Sequence, residues 1–272
     1  MITAIIGKES LLTRHLKLKN KKSVVFSSRT KIEVDRIIKF INNSKNKINL
    51  IMNNFYPSAK INQINNMDYS RFYEQSIVFN ANIFSKINPK KINRIIYSSS
   101  SAVYNSIRKD YQFVDTNNKS LYSSTKIAAE NLIYNFCSKN KISFLILRIF
   151  NMYSNQEDKF SIVSKISKSL KNKTEIKIFN GGENIRDYIH VKDVVKLYDY
   201  FIRKKNLKNS VHDIGVGRGL KLIDIVEFIG EKKLKIKKIN KSIDEVDVSI
   251  ASNEYHKNFK FSSLEKYFSK QI

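Results

Sequence analysis

The chain has 272 residues, 42% of them hydrophobic, long enough to bury a sizeable core as one large domain or one and a half. Its formal charge of +26 suits a polyanionic ligand, a nucleic acid or an acidic membrane surface, but the lysines are spread along the whole chain and form no single block. One cysteine, Cys137, excludes an intramolecular disulfide and a multi-cysteine metal site, and no apolar run approaches the length of a membrane span. Met1-Ile-Thr-Ala-Ile-Ile-Gly is too short for a signal peptide and runs straight into Lys8 and Glu9, so a soluble, cytoplasmic, metal-free protein is expected.

Thr3-Ala-Ile-Ile reads as a short buried strand. Gly7-Lys-Glu-Ser10-Leu-Leu-Thr13 follows as a turn entering a helix, the strand–turn–helix context of a dinucleotide-binding site. Gly7 is the tight-turn glycine, while Ser10 and Thr13 stand where two further glycines of the fingerprint would be. The helix N-terminus, with the amides of Leu11 and Leu12, can still bind phosphate. Ser23-Val-Val-Phe-Ser27 reads as the second strand. It ends in Ser27-Ser28-Arg29, and no later carboxylate precedes Glu33. A guanidinium there suits a 2′-phosphate and predicts NADP(H), with NAD(H) as the alternative.

Lys31 to Asn43 is helix-like, with Ile37, Ile38 and Ile41 on one face. Ile48-Asn-Leu-Ile-Met reads as a strand and Tyr69 to Lys86 as a helix. Arg94-Ile-Ile-Tyr-Ser-Ser-Ser-Ser-Ala-Val-Tyr104 is a strand running into a serine-rich turn. Ser143-Phe-Leu-Ile-Leu-Arg148 is another buried strand. Further on come a Gly-Gly turn at 181–182, a helix from Val191 to Lys204, a strand at Val211-His-Asp-Ile-Gly, a helix from Lys221 to Gly230 and a short helix after Ser262. Apolar strands alternating with helices predict a parallel α/β sheet with crossovers.

Between these lies Ser120-Leu-Tyr-Ser-Ser-Thr-Lys-Ile-Ala-Ala-Glu-Asn-Leu-Ile-Tyr-Asn-Phe, whose apolar spacing and alanines predict one helix. Tyr122 and Lys126 then stand one turn apart on the same face. A lysine cation there favours the phenolate and is expected to move the tyrosine pKa down towards the working range. Cys137 falls on the apolar side of this helix and reads as a core residue.

Five segments, in order, resemble the extended short-chain dehydrogenases/reductases, the NAD-dependent epimerase/dehydratase group acting on nucleotide sugars. The strand from Arg94 to Tyr104 looks like the family strand that ends in Ser-Ser-x-x-Val-Tyr-Gly, with Asn105 in place of its glycine. Tyr122-x-x-x-Lys126 looks like the catalytic pair. Leu147-Arg-Ile-Phe-Asn151-Met-Tyr153 is similar to Leu-Arg-x-Phe-Asn-x-Tyr-Gly. Arg186-Asp-Tyr-Ile-His-Val-Lys-Asp193 matches the segment that supplies a diphosphate-binding arginine, and His212-Asp-Ile-Gly215 resembles a Tyr-Asn-Ile-Gly strand. A late arginine of the family is replaced by the acidic Asp244-Glu-Val-Asp247.

The resemblance implies a doubly wound parallel (Rossmann) sheet, from residues 1–154 and 189–216, with a smaller α+β substrate-binding lobe from 155–188 and 217–272. It implies Ser100, Tyr122 and Lys126 as catalytic residues. Lys126 would also hold the nicotinamide ribose, and Ser100, Asn151 and Arg186 would contact the substrate, a nucleoside-diphosphate sugar. His190 and Asp193 read as structural. An acidic residue beside the active-site serine, which the dehydratases carry, is missing from Ser99-Ser-Ser-Ala, so a 4,6-dehydratase is not expected. The Ser28-Arg29 strand end favours an NADPH-dependent 4-keto-sugar reductase, which is the activity expected; the Arg186 segment favours the alternative, a 4-epimerase with bound NAD. A degenerate Rossmann module that senses nucleotide or binds nucleic acid is the reading from another class. The intact Ser100, Tyr122 and Lys126 stand against it, and so does the lack of an aromatic-rich basic stripe. The family often pairs through a four-helix interface that would include the Tyr122 helix, so the resemblance leaves a homodimer open.

Overall fold

The computed structural model describes residues 2–54, 69–104, 120–155, 161–204, 209–230, 234–239, 247–252 and 259–271. Asn105 and Asp244 lie outside the described residues. In chain order the elements are β1 (Ile2–Ile6), α1 (Leu11–Lys19), β2 (Val24–Phe26), α2 (Lys31–Asn42), β3 (Ile48–Met52), α3 (Tyr69–Tyr73), α4 (Phe79–Phe84), β4 (Ile92–Ser100), α5 (Leu121–Asn140) and β5 (Ser143–Ile149). There follow β6 (Asn151–Tyr153), α6 (Ile162–Asn172), β7 (Ile176–Phe179), β8 (Ile185–His190), α7 (Val191–Arg203), β9 (Ser210–Ile214), β10 (Gly219–Lys221), α8 (Leu222–Ile229), β11 (Ile236–Ile239), β12 (Val248–Ser249) and α9 (Leu264–Ser269). The chain divides into two compact units: residues 1–103, 116–148 and 198–212, and residues 104–115, 149–197 and 213–272.

The first unit is built on a six-stranded sheet in the order β2-β1-β3-β4-β5-β9. The pairs β1–β2, β1–β3 and β3–β4 are parallel. Every residue of β3 is buried, as a strand covered on both faces requires. Chain order reverses at β1, with β2 on one side and β3 on the other. The carboxyl ends of β1 and β3 therefore flank a topological switch point, where doubly wound sheets bind their ligands. Ile37 and Ile41 are fully buried on α2, and Ile38 packs half-buried against the same core.

The helix expected over 69–86 runs without interruption from Tyr69 to Phe84 and contains a π-helical segment. A π-helical turn, Glu74–Val78, joins α3 to α4. The buried Asn80 explains the polar side of that turn: its Nδ2 donates to the Ser76 carbonyl at 2.9 Å, and its Oδ1 accepts from Asn54 Nδ2 at 2.7 Å.

The second unit centres on β8, which pairs antiparallel with β10 and parallel with β12 and β6. A two-stranded parallel ribbon, β7 with β11, lies in the same unit. Its core gathers Tyr153, Val163, Ile166, Ile178, Val226 and Phe268. Helix α6 has no counterpart in the sequence-based expectations. Its buried face is Val163 and Ile166 plus three serines, Ser164, Ser167 and Ser169, which blur the apolar period. Ser161 caps it, accepting from Ser164 N at 3.1 Å.

Candidate active site

In the first unit, β4 delivers three serines in succession at its carboxyl end. Helix α5 runs beside it, capped by Ser120, whose Oγ accepts from Ser123 N at 3.1 Å. The helix presents Tyr122, Lys126 and Glu130 at steps of four residues, a single stripe facing β4. Ser100 acts on the Tyr122 phenol, lowering its pKa. Lys126 is buried, and its Nζ donates to the Ser98 carbonyl at 2.7 Å. The same ammonium lies 4.8 Å from the Tyr97 ring centroid and 5.7 Å from that of Tyr122. Ser100, Tyr122 and Lys126 are thus brought together.

The expected electrostatic effect on Tyr122 is reversed. Burial pushes the phenol up to about 12, with the Ser100 hydrogen bond opposing. Lys126 takes the complementary shift: burial lowers it to about 7, and the Glu130 carboxylate opposes that fall. The Lys126 ammonium is engaged by the Ser98 carbonyl and faces the Tyr97 and Tyr122 rings, and desolvation sets the direction of the Tyr122 shift.

Sequence reasoning missed the residues beneath this stripe. Arg148, from β5, makes a bidentate pair with Glu130, Nε to Oε1 at 3.1 Å and Nη2 to Oε2 at 2.7 Å. Ser99 Oγ donates to the same carboxylate. Glu130 was legible in principle, as the next same-face residue after Tyr122 and Lys126. A second network joins four elements: Asn53 Nδ2 donates to Thr13 Oγ1 at 2.9 Å, Ser98 Oγ donates to Asn53 Oδ1, and Tyr198 OH lies 2.6 Å from Ser98 Oγ. Since Ser98 gives its proton to Asn53, Tyr198 is the donor to Ser98. Thr13, in the helix-packing glycine position, fits because its hydroxyl is met by Asn53.

Gly7 sits at φ +105°, and a Cβ there would come 2.7 Å from the Asn53 carbonyl oxygen. The turn after β1 therefore keeps its one indispensable glycine. Ser10 is the N-cap residue of α1, with no side-chain cap bond, and Leu11 and Leu12 open the helix. Their amides have no intrahelical partner and suit a phosphate. At the end of β2, the expectation that no carboxylate is near is corrected. Glu9, from the β1–α1 turn, accepts from Ser27 Oγ at 2.9 Å and lies 3.8 Å from Arg29 Nε. Linear distance in sequence hid it.

The second unit holds Asn151, half-buried on β6, and Arg186 on β8. Arg186 Nη1 donates to the carbonyls of Ile185, at 3.0 Å, and Asp247, at 3.3 Å. Asp187 is fully buried. Its Oδ1 accepts from Val216 N at 2.8 Å, and its Oδ2 from Gly217 N at 2.7 Å and Ala251 N at 3.1 Å. Burial raises it to about 6 against the effect of those amides. Gly215 is required by close approach: a Cβ would come 2.6 Å from Asp187 Oδ2. His190 packs edge-on to Tyr153 and meets Asn155, and buried Asp193 accepts from Ser262 N at 2.7 Å. Both serve the packing of this unit. Among the described residues no helix is long and apolar enough to cross a membrane, and no group of three His, Cys, Asp or Glu could hold a metal ion.

The model of the NAD dependent epimerase/dehydratase family matches residues 14–217. The chain belongs to this family of enzymes. An ADP-L-glycero-D-manno-heptose-6-epimerase of Brachyspira hyodysenteriae is 26% identical over 228 residues, covering 80% of this chain and 69% of that protein. Of three other curated relatives the chain spans 39% to 58%. Among solved structures, the Thermotoga maritima UDP-glucose 4-epimerase with UDP-glucose superposes with a TM-score of 0.80 at 18% identity, covering 99% of each chain. The Bacillus cereus UDP-glucuronic acid 4-epimerase with UDP-glucuronic acid and NAD gives 0.77 at 17%, covering 100% of this chain and 98% of that one. These likenesses establish the doubly wound fold. The Gly7–Thr13 turn falls before the family match, in keeping with its replaced glycines.

Proposed function

We propose that this chain is an epimerase of a nucleoside-diphosphate sugar that works through a nicotinamide dinucleotide held by the first unit. The observation that carries the reading is that Ser100 and Lys126 both bear on the Tyr122 phenol, Ser100 by lowering its pKa and Lys126 from one helical turn on with its ammonium 5.7 Å from the ring. The names of its relatives and Arg186 on β8 support the sugar-nucleotide substrate. The dinucleotide, when bound, supplies the acceptor and donor of hydride. The protein moves the proton. Tyr122 exchanges it with the hydroxyl oxygen of the sugar carbon that is oxidised, and Ser100 orients that oxygen. With its phenol at about 12, Tyr122 is protonated at neutral pH and ready for the donating half of the cycle. Removing its proton for the other half is assisted by the Lys126 cation 5.7 Å from its ring. Arg186 would grip the diphosphate, and Asn151 would contact the sugar side.

A 4-keto-sugar reductase is the second reading, favoured by Arg29, whose guanidinium stands at the end of β2 and could meet the 2′-phosphate of NADPH. Purified protein decides between them. The epimerase reading expects NAD released on denaturation and interconversion of a nucleotide sugar with no added cofactor. Stoichiometric consumption of a reduced cofactor by a 4-keto sugar, with no epimerisation, would replace it by the reductase.

A further inference from the structure

The turn after β1 is stapled to the end of β2. Gly7 N and Lys8 N both donate to the carbonyl of Phe26, the last residue of that strand, at 2.9 and 3.0 Å. The next residue, Glu9, is thereby carried over the strand end, where its Oε1 accepts from Ser27 Oγ at 2.9 Å. Arg29 Nε lies 3.8 Å from the same oxygen, too far for a hydrogen bond, and its side chain is 65% exposed against 36% for Glu9. The carboxylate stands on a pinned turn and is held by the Ser27 hydroxyl, and the guanidinium is a longer, more solvated arm.

We propose that Glu9 selects NAD(H) against NADP(H), standing in for the Asp or Glu that doubly wound sheets place at the end of the second strand. A carboxylate accepts hydrogen bonds from a ribose diol and has no proton to offer a phosphate. A 2′-phosphate entering here would face that negative charge. The attraction of Arg29 is weakened by solvent and by Glu9 itself. The proposal rests on the reading of the first unit as the dinucleotide site.

The test is direct binding, independent of turnover. The full chain, stripped of any co-purified nucleotide, is titrated calorimetrically with NADH and with NADPH. Wild type is expected to bind NADH at least about tenfold more tightly. Glu9→Gln keeps the size and an acceptor oxygen but loses the charge, so NADPH should gain about tenfold while NADH stays within a few-fold. Glu9→Ala should also recover NADPH binding, and Arg29→Ala should leave the NADH preference in place. Equal or tighter NADPH binding by wild type, or an unchanged ratio in Glu9→Gln, overturns the assignment to Glu9. A folded wild-type chain that binds neither nucleotide overturns the dinucleotide reading itself.

Discussion

Two buried carboxylates, Glu130 in the first unit and Asp187 in the second, are held by opposite means. Glu130, in the first unit, meets a cation: both of its oxygens are bonded to the Arg148 guanidinium, with Ser99 as a third donor. Asp187, in the second, meets backbone amides from residues 216, 217 and 251. A cation neutralises the charge and steadies the electrostatics of its neighbours, here Lys126 one turn away. Amides fix the backbone and offset the desolvation only in part, so Asp187 sits at about 6. The first arrangement suits a stripe whose protonation matters, and the second a strap that ties three chain segments together.

Removing one partner of a buried pair strands the other, so the largest effect should come from Arg148→Ala, at about 3–5 kcal/mol of stability. Chemical denaturation measures it. The double variant Arg148→Met with Glu130→Leu should recover most of the loss. If the single variant cost as little as an exposed pair does, the first unit would not depend on this ion pair. Next in size is Tyr122→Phe, which should lower kcat by at least ~10²-fold while the melting temperature and dinucleotide affinity hold. Turnover within a few-fold of wild type would remove Tyr122 from proton transfer, and the Glu130–Lys126 arrangement would then be structural only.

What the sequence disclosed follows the same division. Strands buried on both faces are continuous apolar runs, so β1, β3, β4 and β5 were legible, and the Tyr122–Lys126 spacing was legible because a helix makes four residues one turn. Relations across the sheet were not. Nothing in linear order places Glu9 against Ser27, Arg148 against Glu130, or Asn53 between Thr13 and Ser98. The pKa of Tyr122 was misjudged for a related reason: spacing locates the lysine, but burial sets the larger shift. In the second unit, α6 escaped because serines share its buried face, and β11 and β12 because they are short.

Arg186→Ala tests whether the second unit reads its ligand by charge as the first holds its core by charge. A diphosphate clamp binds ground and transition states alike, so KM for the nucleotide sugar should rise about ten- to a hundredfold with kcat less affected. Initial-rate kinetics on a confirmed substrate would show it. An unchanged KM would confine Arg186 to its bonds with the Ile185 and Asp247 carbonyls.

The smallest effect is the sharpest test of the comparison, because it isolates the amide-held carboxylate. Asp187 has a folded pKa of about 6, above its ordinary value of 3.8. The native state therefore holds its proton more tightly than the unfolded chain does. The stability this contributes is fully present below about pH 3.8 and is lost as pH rises through about 6. Other carboxylates titrate in the same window, so the measurement must be differential. Unfolding free energies of wild type and Asp187→Asn should be compared from pH 4 to pH 7. The advantage of wild type should shrink by on the order of 1–2 kcal/mol across that range, as the variant has nothing to ionise at this position. A wild-type advantage that grew with pH at Asp187 would mean that three backbone amides outweigh burial, and that amides and a cation hold a buried carboxylate equally well.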